Sequence, residues 1–458
     1  DGRLNMKELS LYILDITMNS VKAGAKNISI SLGEYDGIFS FSVEDDGCGM
    51  TKEQLELIAN QLATIKERSP FYAKKFEGID VADVRTQADF EKLPFSEKDD
   101  LRAVYPLGLQ AVPDEEVVRI HSSSGTTGTP VIIPYTQQDV IDWATQFARC
   151  YEMAGITPLD RIQITPGYGL WTAGIGFQLG AERLGAMAIP MGPGNTEKQL
   201  KMMQDLKSTV ICATSSYALL LAEEITKRNL RDKIHLKKGV IGSERWGEKM
   251  RNRIQDELGI EIYDIYGLTE VYGPGIGISC DAHDGMHIWD DFVYIEIVDP
   301  ETGEVLPDGQ EGELVLTTLR KQGAPLIRYR THDLTRIVPG TCACGSRHPR
   351  IATLTGRTDD MFKVKGCNMF PAQVEEVIKA TDGTSSEYQV MIEAVDGHDV
   401  LTVLFETPLE GEALARCEEE LALIFKAKLG CTPEAKGVPM GELPRSEKKT
   451  KRIFDSRY

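Results

Sequence analysis

Positive charge is what this 458-residue chain has least to spare: 51 Lys and Arg stand against 70 Asp and Glu, a formal net charge of −19. A surface that acidic repels phosphate backbones and anionic lipid, which argues against a nucleic-acid binder or a polybasic membrane protein. Long apolar runs are missing too. No stretch approaches the roughly 18 consecutive apolar residues that span a bilayer. No basic-then-apolar N-terminus reads as a secretory signal. Cysteine is sparse, with nine in the chain. Most sit singly in apolar or helical contexts (Cys150, Cys212, Cys417) and read as reduced, buried small hydrophobes. There is no internal repeat, low-complexity tract or long linker. The expectation is a cytoplasmic multi-domain α/β protein of about three domains.

What is present is an alternation of short apolar strands with helix-length segments. Strands are expected at 162–165, 186–190, 210–213 and 239–242, with helices at 197–206 and 217–227 between them. This predicts βαβ units and a largely parallel sheet. From Tyr294 the pattern turns β-rich, with strands at 294–298, 313–317, 327–329 and 334–338. Past Gly356 a third region reads as a strand at 361–365, a helix from Pro371, strands at 388–394 and 401–405, and a helix from Glu410. Ahead of all this, 9–30 reads as a helix running into a strand, 38–43 as a second strand, and 52–68 as a helix.

The stretch His121-Ser-Ser-Ser-Gly-Thr-Thr-Gly-Thr-Pro130 holds three Ser, three Thr and two Gly within ten residues, directly after the strand-like Val117–Ile120. Glycine lets a backbone close on a polyphosphate, and hydroxyls add donors without fixed charge. It is not a Walker loop, because no Gly-Lys-Ser/Thr closes it. Further along come Tyr263-Asp-Ile-Tyr-Gly-Leu-Thr-Glu270, Arg328-Tyr-Arg-Thr-His-Asp333, Gly356-Arg-Thr-Asp-Asp360 and Leu443-Pro-Arg-Ser-Glu-Lys-Lys-Thr-Lys-Arg452. In this order the five motifs resemble those of the adenylate-forming superfamily. Gly167-Tyr-Gly-Leu-Trp-Thr-Ala-Gly174, Gly242-Ser-Glu-Arg-Trp246, Met286-His-Ile-Trp-Asp290 and Cys342-Ala-Cys-Gly-Ser-Arg-His-Pro-Arg-Ile351 are similar to the phenylacetate–CoA ligase branch. The resemblance runs from about Leu55 to the C-terminus.

That resemblance implies a large N-terminal domain of βαβ sheets with a β-rich subdomain (51–356) and a small mobile α/β C-terminal domain (357–458), with Asp359 at the hinge. It implies a two-step reaction: a carboxylate attacks the α-phosphate of ATP, and the thiol of coenzyme A then displaces AMP from the acyl-adenylate. Ser123, Ser124, Gly125, Thr126, Thr127 and Gly128 would cradle the β- and γ-phosphates. Tyr266, beside Gly267, would stack on adenine, with Ser243, Glu244 and Asp264 on segments lining the base. Thr269 and Glu270 would address the α-phosphate and Mg²⁺. Asp333 would accept from both ribose hydroxyls with Arg357 beside it. Lys449 matches the mobile lysine of adenylation, and the loop Lys365-Gly366-Cys367 would face the site during thioester formation. The aromatics Tyr168, Trp171 and Phe177 flank small residues and offer walls for a planar ring, so the expected acid is a small aryl acid, phenylacetate foremost. Two departures stand out. Thr129 and His332 occupy positions where relatives often carry Lys and have Gly, respectively.

Cys280, Cys342, Cys344 and a histidine would make a Cys₃His zinc site of structural type. His287 is the preferred fourth ligand because it lies in the matching Met286–Trp289 segment, with His283 the competitor. Residues 1–50 fall outside the ligase resemblance. Leu14–Ala25 and Asp45-Asp-Gly-Cys-Gly-Met50 look like the first two boxes of the gyrase and histidine-kinase type ATPase, with Asn19 and Asp45 as the Mg²⁺ and adenine residues. About fifty residues cannot enclose a nucleotide, and the segment reads as a fused remnant. Two rival functions remain: an adenylating module that loads a carrier protein, disfavoured because no carrier segment follows Arg452, and a non-catalytic nucleotide-binding regulator. A homodimer is left open.

Overall fold

Short strands between capped helices build the centre of the molecule. In the computed structural model the described residues are 28–35, 38–45, 49–123, 129–244, 246–365, 367–395, 398–445 and 451–457. They fall into two units, one comprising the described residues up to 60 with 80–93, the other 61–79 with 94–457. In the first, Ile28–Tyr35 and Ile38–Asp45 pair as an antiparallel hairpin. The helix Lys52–Arg68 begins where Thr51 and Gln54 exchange side-chain-to-backbone bonds of 2.9 and 3.2 Å, which satisfies orphan N–H groups of its first turn. The expected helix at 9–30 lies almost wholly outside the described residues, as does Asn19.

The second unit is α/β, as expected. Its main sheet has nine strands. Glu261–Leu268, Lys238–Gly242, Val210–Thr214, Arg161–Ile164 and Met187–Pro190 are successive parallel neighbours. The other half, Gly273–Ser279, Met286–Ile288, Arg350–Ile351 and Ile337–Val338, is antiparallel, so the sheet is mixed rather than largely parallel. Helices cross back over the parallel half. Ser215–Lys227 starts at the N-cap Thr214, whose side chain accepts from the Tyr217 N–H, and Ala173–Leu184 stops at Gly185 in the left-handed conformation. A core of buried Leu219, Leu221, Ile225, Ile241, Ile254 and Ile262 joins the helices to the sheet.

A separate antiparallel sheet, Val293–Val298, Gly312–Thr318, Tyr329–Thr335 and Gly356–Arg357, forms the β-rich part. Here one expectation is corrected. The two strands anticipated at 327–329 and 334–338 are one strand, Tyr329–Thr335, followed by the two-residue Ile337–Val338, which joins the nine-stranded sheet. Arg328 precedes that strand with φ +45, a left-handed backbone that breaks the extended run. Its guanidinium is 3% exposed, bonded to the equally buried Glu296 at 2.9 and 3.2 Å, and stacked 4.1 Å from the Phe95 ring centroid.

Beyond Gly356 the chain builds a third layer. Phe362–Val364 pairs with Cys367–Met369, and a four-stranded sheet runs Glu434–Val438, His398–Glu406, Tyr388–Val395, Ile453–Asp455. The helices Pro371–Ala380 and Gly411–Leu429 pack on it through Val374, Val377, Leu421 and Phe425, a core drawn wholly from residues 362–453. Among the described residues no helix is long and apolar enough to cross a membrane.

Removing one charge of a buried, hydrogen-bonded pair strands the other in low dielectric. Glu296→Gln is therefore expected to destabilise the protein by roughly 3–5 kcal/mol in urea unfolding. A loss below about 1 kcal/mol would mean that Arg328 finds water or another partner.

Candidate active site

Three β elements deliver the polar centre. Tyr266 comes from the nine-stranded sheet, Asp333 from the strand Tyr329–Thr335, and Arg357 from the edge strand paired with it, directly opposite Asp333. Asp333 is 4% exposed; its Oδ2 accepts from the Tyr266 hydroxyl at 2.6 Å and its Oδ1 from Arg357 Nη1 at 3.0 Å. Burial pushes its carboxyl above the usual range, and the Arg357 guanidinium opposes that shift. Arg357 in turn grips Asp359 through two bonds of 2.8 and 2.9 Å. His332 stands at φ +65, the left-handed region where glycine pays no penalty, which explains why glycine suits this position. Its Nδ1 lies 2.9 Å from Thr358 Oγ1 and 3.4 Å from Glu313 Oε1, and these partners fill the room the side chain needs.

The turn after Tyr266 is shaped by Gly267, where a Cβ would come within 2.0 Å of the Gly273 carbonyl oxygen. Thr269 Oγ1 lies 3.2 Å from Thr172 Oγ1, which joins this turn to the loop 167–172. Glu270 is 4% exposed and ion-paired with Lys98 Nζ at 3.0 Å. Nothing in the charged stretch around Lys98 singles it out in sequence, since its role depends on a tertiary contact 172 residues away.

The phosphate-loop candidate is rooted in the hairpin Val117–Ser122 and Ile132–Thr136. Ser123 is buried and doubly tied to Val131, backbone to carbonyl at 3.0 Å and hydroxyl from the Val131 N–H at 3.0 Å. Ser124, Gly125, Thr126, Thr127 and Gly128 lie outside the described residues, and so does Lys449. His121, 2% exposed, anchors the hairpin to the loop 167–172 through Nδ1 and the Leu170 carbonyl at 3.1 Å, while the Ser122 N–H donates to the same oxygen.

The aromatic candidates separate. Tyr168 is half-buried, its hydroxyl without a hydrogen-bond partner among the described residues, and Trp171 is 43% exposed. Both stand on the loop that Thr172 joins to Thr269. Phe177 is a correction. It is 1% exposed and packs edge-on against Phe147 at 4.8 Å between centroids, because the helix Ala173–Leu184 turns that face inward. It belongs to the core. Glu244 is likewise committed elsewhere, its carboxylate accepting from the Ser216 N–H and hydroxyl at 2.9 and 2.8 Å, where it caps the helix Ser215–Lys227. Ser243 is exposed with φ +72, and Asp264 is half-buried, its carboxyl pushed up to about 6 by burial with the Arg251 charge opposing.

At the far end of the nine-stranded sheet, one donor atom each from Cys280, His287, Cys342 and Cys344 lies within 4.8 Å of the others. Cys280 and Cys342 sulfurs are 3.5 Å apart, and Cys344 Sγ is 3.3 Å from His287 Nε2. His287 Nδ1 donates to the His348 carbonyl at 2.9 Å, which leaves Nε2 with its lone pair toward the thiols. His283 is not in this group; its Nδ1 is engaged by Arg251 Nη2 at 2.9 Å.

This geometry has counterparts. Residues 57–319 match the family described as AMP-binding enzyme, and 366–457 match the AMP-binding enzyme C-terminal domain. The phenylacetate–coenzyme A ligase of Pseudomonas putida is 41% identical over 89% of this chain and 94% of its own length. That of Escherichia coli K12 is 44% identical over 85% and 91%. The chain belongs to the AMP-binding enzymes, in their phenylacetate–coenzyme A ligase branch. Among solved AMP-binding enzymes, a 2-hydroxyisobutyryl-CoA ligase in its postadenylation state superposes with a TM-score of 0.80 at 27% identity, covering 88% of this chain and 89% of that one. The same ligase in its thioesterification state gives 0.66 at 28% identity, covering 89% of each. Residues 8–78 match the histidine kinase-, DNA gyrase B- and HSP90-like ATPase family, further into the chain than the expected boundary at 50.

Burial pushes the His121 imidazole down to about 4, with the Leu170 carbonyl opposing, so it is neutral in the fold at pH 7. An unfolded histidine titrates near 6.5 and binds more protons than the folded one between pH 6.5 and 4. This stability is present above 6.5 and lost as pH falls toward 4. Urea unfolding of wild type against His121→Gln is expected to show that component, up to about 1.4 kcal/mol per pH unit, only in wild type. Parallel pH profiles would show that His121 titrates alike in the folded and unfolded chain, against the effect of burial.

Proposed function

We propose that this chain is an ATP-dependent aryl-acid–coenzyme A ligase whose acid is phenylacetate, acting through an acyl-adenylate with release of pyrophosphate and AMP. Membership of the family makes it an AMP-forming acid–thiol ligase. The single observation carrying the reading is Asp333, a buried carboxylate oriented by Tyr266 and Arg357 at the junction of two sheets. Each of its oxygens accepts one protein bond and keeps a lone pair, so it can take the two hydroxyls of a ribose.

A carboxylate is a poor electrophile, and joining it to AMP supplies the leaving group. The protein's part is positioning and charge neutralisation. Thr269 and Thr172 stand where the acid loop meets the nucleotide turn, so the acid carboxylate and the α-phosphorus are brought to one place. Tyr168 and Trp171, on the loop before the helix Ala173–Leu184, serve as the ring walls, and Phe177 packs that helix into the core. Lys449 neutralises charge at the α-phosphate during adenylation. Glu270 fits Mg²⁺: a buried carboxylate that already holds a cation, Lys98, is the hard oxygen donor such an ion takes. Mg²⁺ there would offset charge on the triphosphate. The higher superposition on the postadenylation state supports the reading that the C-terminal domain is drawn here in its adenylating orientation.

The acid is tested by pyrophosphate release. Flat walls gain offset or edge contacts worth about 0.5–1.5 kcal/mol with a planar ring, and a flexible chain loses more rotational freedom. Phenylacetate is expected to exceed hexanoate in kcat/KM by at least about tenfold, and equal use of the two would end the aryl assignment.

The Cys280, His287, Cys342 and Cys344 cluster fits zinc in donor type, number and spacing, with the His348 carbonyl accepting from His287 Nδ1 and so aiming Nε2 at the site. With four protein ligands no position is left for water, so the role is structural, tying the segment after Ile337–Val338 to the strand Met286–Ile288. Chelation is expected to lower the melting temperature. Less than about half a zinc per chain by elemental analysis of reduced protein would count against the site.

A further inference from the structure

The C-terminal domain has its own sheet and core, so only its surface bonds decide how it sits on the large domain. Two polar contacts dominate that junction. Arg445, four residues before Lys449, reaches across with Nε and Nη2 to the Glu223 carboxylate, at 2.7 to 3.2 Å, from the helix Ser215–Lys227 of the large domain. Its Nη1 and Nη2 bond Glu406 of its own domain at 2.8 Å each. The side chain is 10% exposed, so the fork is held largely out of water. Lys249, on the large-domain helix Glu248–Leu258, donates to the Ile378 and Thr381 carbonyls at 2.8 and 3.0 Å and to Thr384 Oγ1 at 2.8 Å. An ammonium at the C-terminal carbonyls of Pro371–Ala380 complements the negative end of that helix. A further pair, Lys379 with Glu248, is exposed on both sides and holds little.

The pairing is built to part. When Arg445 leaves Glu223, it keeps Glu406, and Glu223 keeps Arg253, already 2.7 Å away. Neither charge is orphaned, so separation avoids the heavy penalty of an uncompensated buried ion. A purely structural ion pair has no need of a spare partner on each side. The planar fork also accepts only one relative orientation of the two carboxylates, so it reports domain position rather than mere proximity.

We propose that Glu223 and Lys249 are positioning residues that clamp the C-terminal domain in its adenylating orientation through Arg445 and the end of the helix Pro371–Ala380, and that this clamp sets the balance between the two half-reactions. The inference rests on the reading that Lys449 acts in only one domain orientation. Holding that orientation favours the step in which Lys449 takes part and delays the step that needs the domain elsewhere.

The test uses the full chain and measures the half-reactions apart: pyrophosphate exchange with phenylacetate, and thioester formation from supplied phenylacetyl-AMP and coenzyme A. Lys449→Ala is expected to lose the first and keep the second; loss of both would sink the domain-alternation reading and the clamp with it. Given that split, Glu223→Gln and Lys249→Met are each expected to slow pyrophosphate exchange about tenfold while thioester formation is unchanged or faster, and Glu223→Asp to restore part of the exchange rate. A parallel fall in both half-reactions, or no change in their ratio, would overturn the clamp while leaving the ligase reading intact. The ratio is the deciding readout, because general destabilisation lowers both rates together.

Discussion

The Asp333 carboxylate is the point on which the arrangement turns. Its strand belongs to the β-rich sheet, the Tyr266 hydroxyl reaches it from the nine-stranded sheet, and Arg357 reaches it from the segment leading into the C-terminal domain. A buried carboxylate is costly unless its lone pairs are occupied, and here its two donors come from two different sheets, Tyr266 from the nine-stranded one and Arg357 from the edge strand of its own. The cost of burying one charge thus fixes where two sheets meet and where the chain leaves them after Arg357. Arg357 passes the constraint on by holding Asp359 two residues later. The same carboxylate that organises the junction keeps a lone pair on each oxygen, the feature on which the proposed ribose contact rests.

A second set of contacts links the hairpin Val117–Ser122 and Ile132–Thr136 to the loop 167–172 and that loop to the turn after Tyr266. The Leu170 carbonyl accepts from His121 Nδ1 and from the Ser122 N–H, and Thr172 meets Thr269. Each is a single bond, but together they tie the hairpin, the loop 167–172 and the turn after Tyr266 to one another. The hairpin root is fixed by Ser123 and Val131, and Asp139 accepts from the Thr136, Gln322 and Gly323 N–H groups with no exposure at all. Precision at the reacting centre depends on such roots, because about 1 Å of misplacement costs rate steeply.

Much of this was legible in sequence, and for a physical reason. The motif strands Val117–Ser122, Glu261–Leu268 and Tyr329–Thr335 carry the chemistry on elements whose local pattern is strong. The Cys₃His grouping also followed from ligand types, and its choice of His287 over His283 corresponds to where the donors gather. What could not be read was side-chain commitment. Phe177 and Glu244 sit in motif-like positions, yet one faces the helix core and the other caps a helix, and only the packing direction of the element decides that. Strand limits near Arg328 were missed because a left-handed non-glycine residue carries no sequence flag. Lys98, Glu223 and Lys249 were invisible for a related reason: each matters through one long-range partner, and nothing in its neighbours distinguishes it from an ordinary surface charge.

The net charge of −19 looks at odds with a nucleotide triphosphate as substrate, and the distances resolve it. At physiological ionic strength, charges beyond about 8 Å are largely screened where solvent separates them. The scattered acidic surface therefore repels an extended polyanion, which must lie along many of those charges at once, far more than a single nucleotide in a cleft. At the candidate site the nearest groups decide. There Lys98 and Arg357 lie on carboxylates that would otherwise repel phosphate, Glu270 and Asp333, and burial strengthens each pairing relative to the exposed surface. Glu270 and Asp333 are thus each paired with a cation, Arg357 being shared with Asp359. These pairings offset part of the negative charge that a phosphate ligand would meet at the candidate site, although the chain as a whole is strongly acidic.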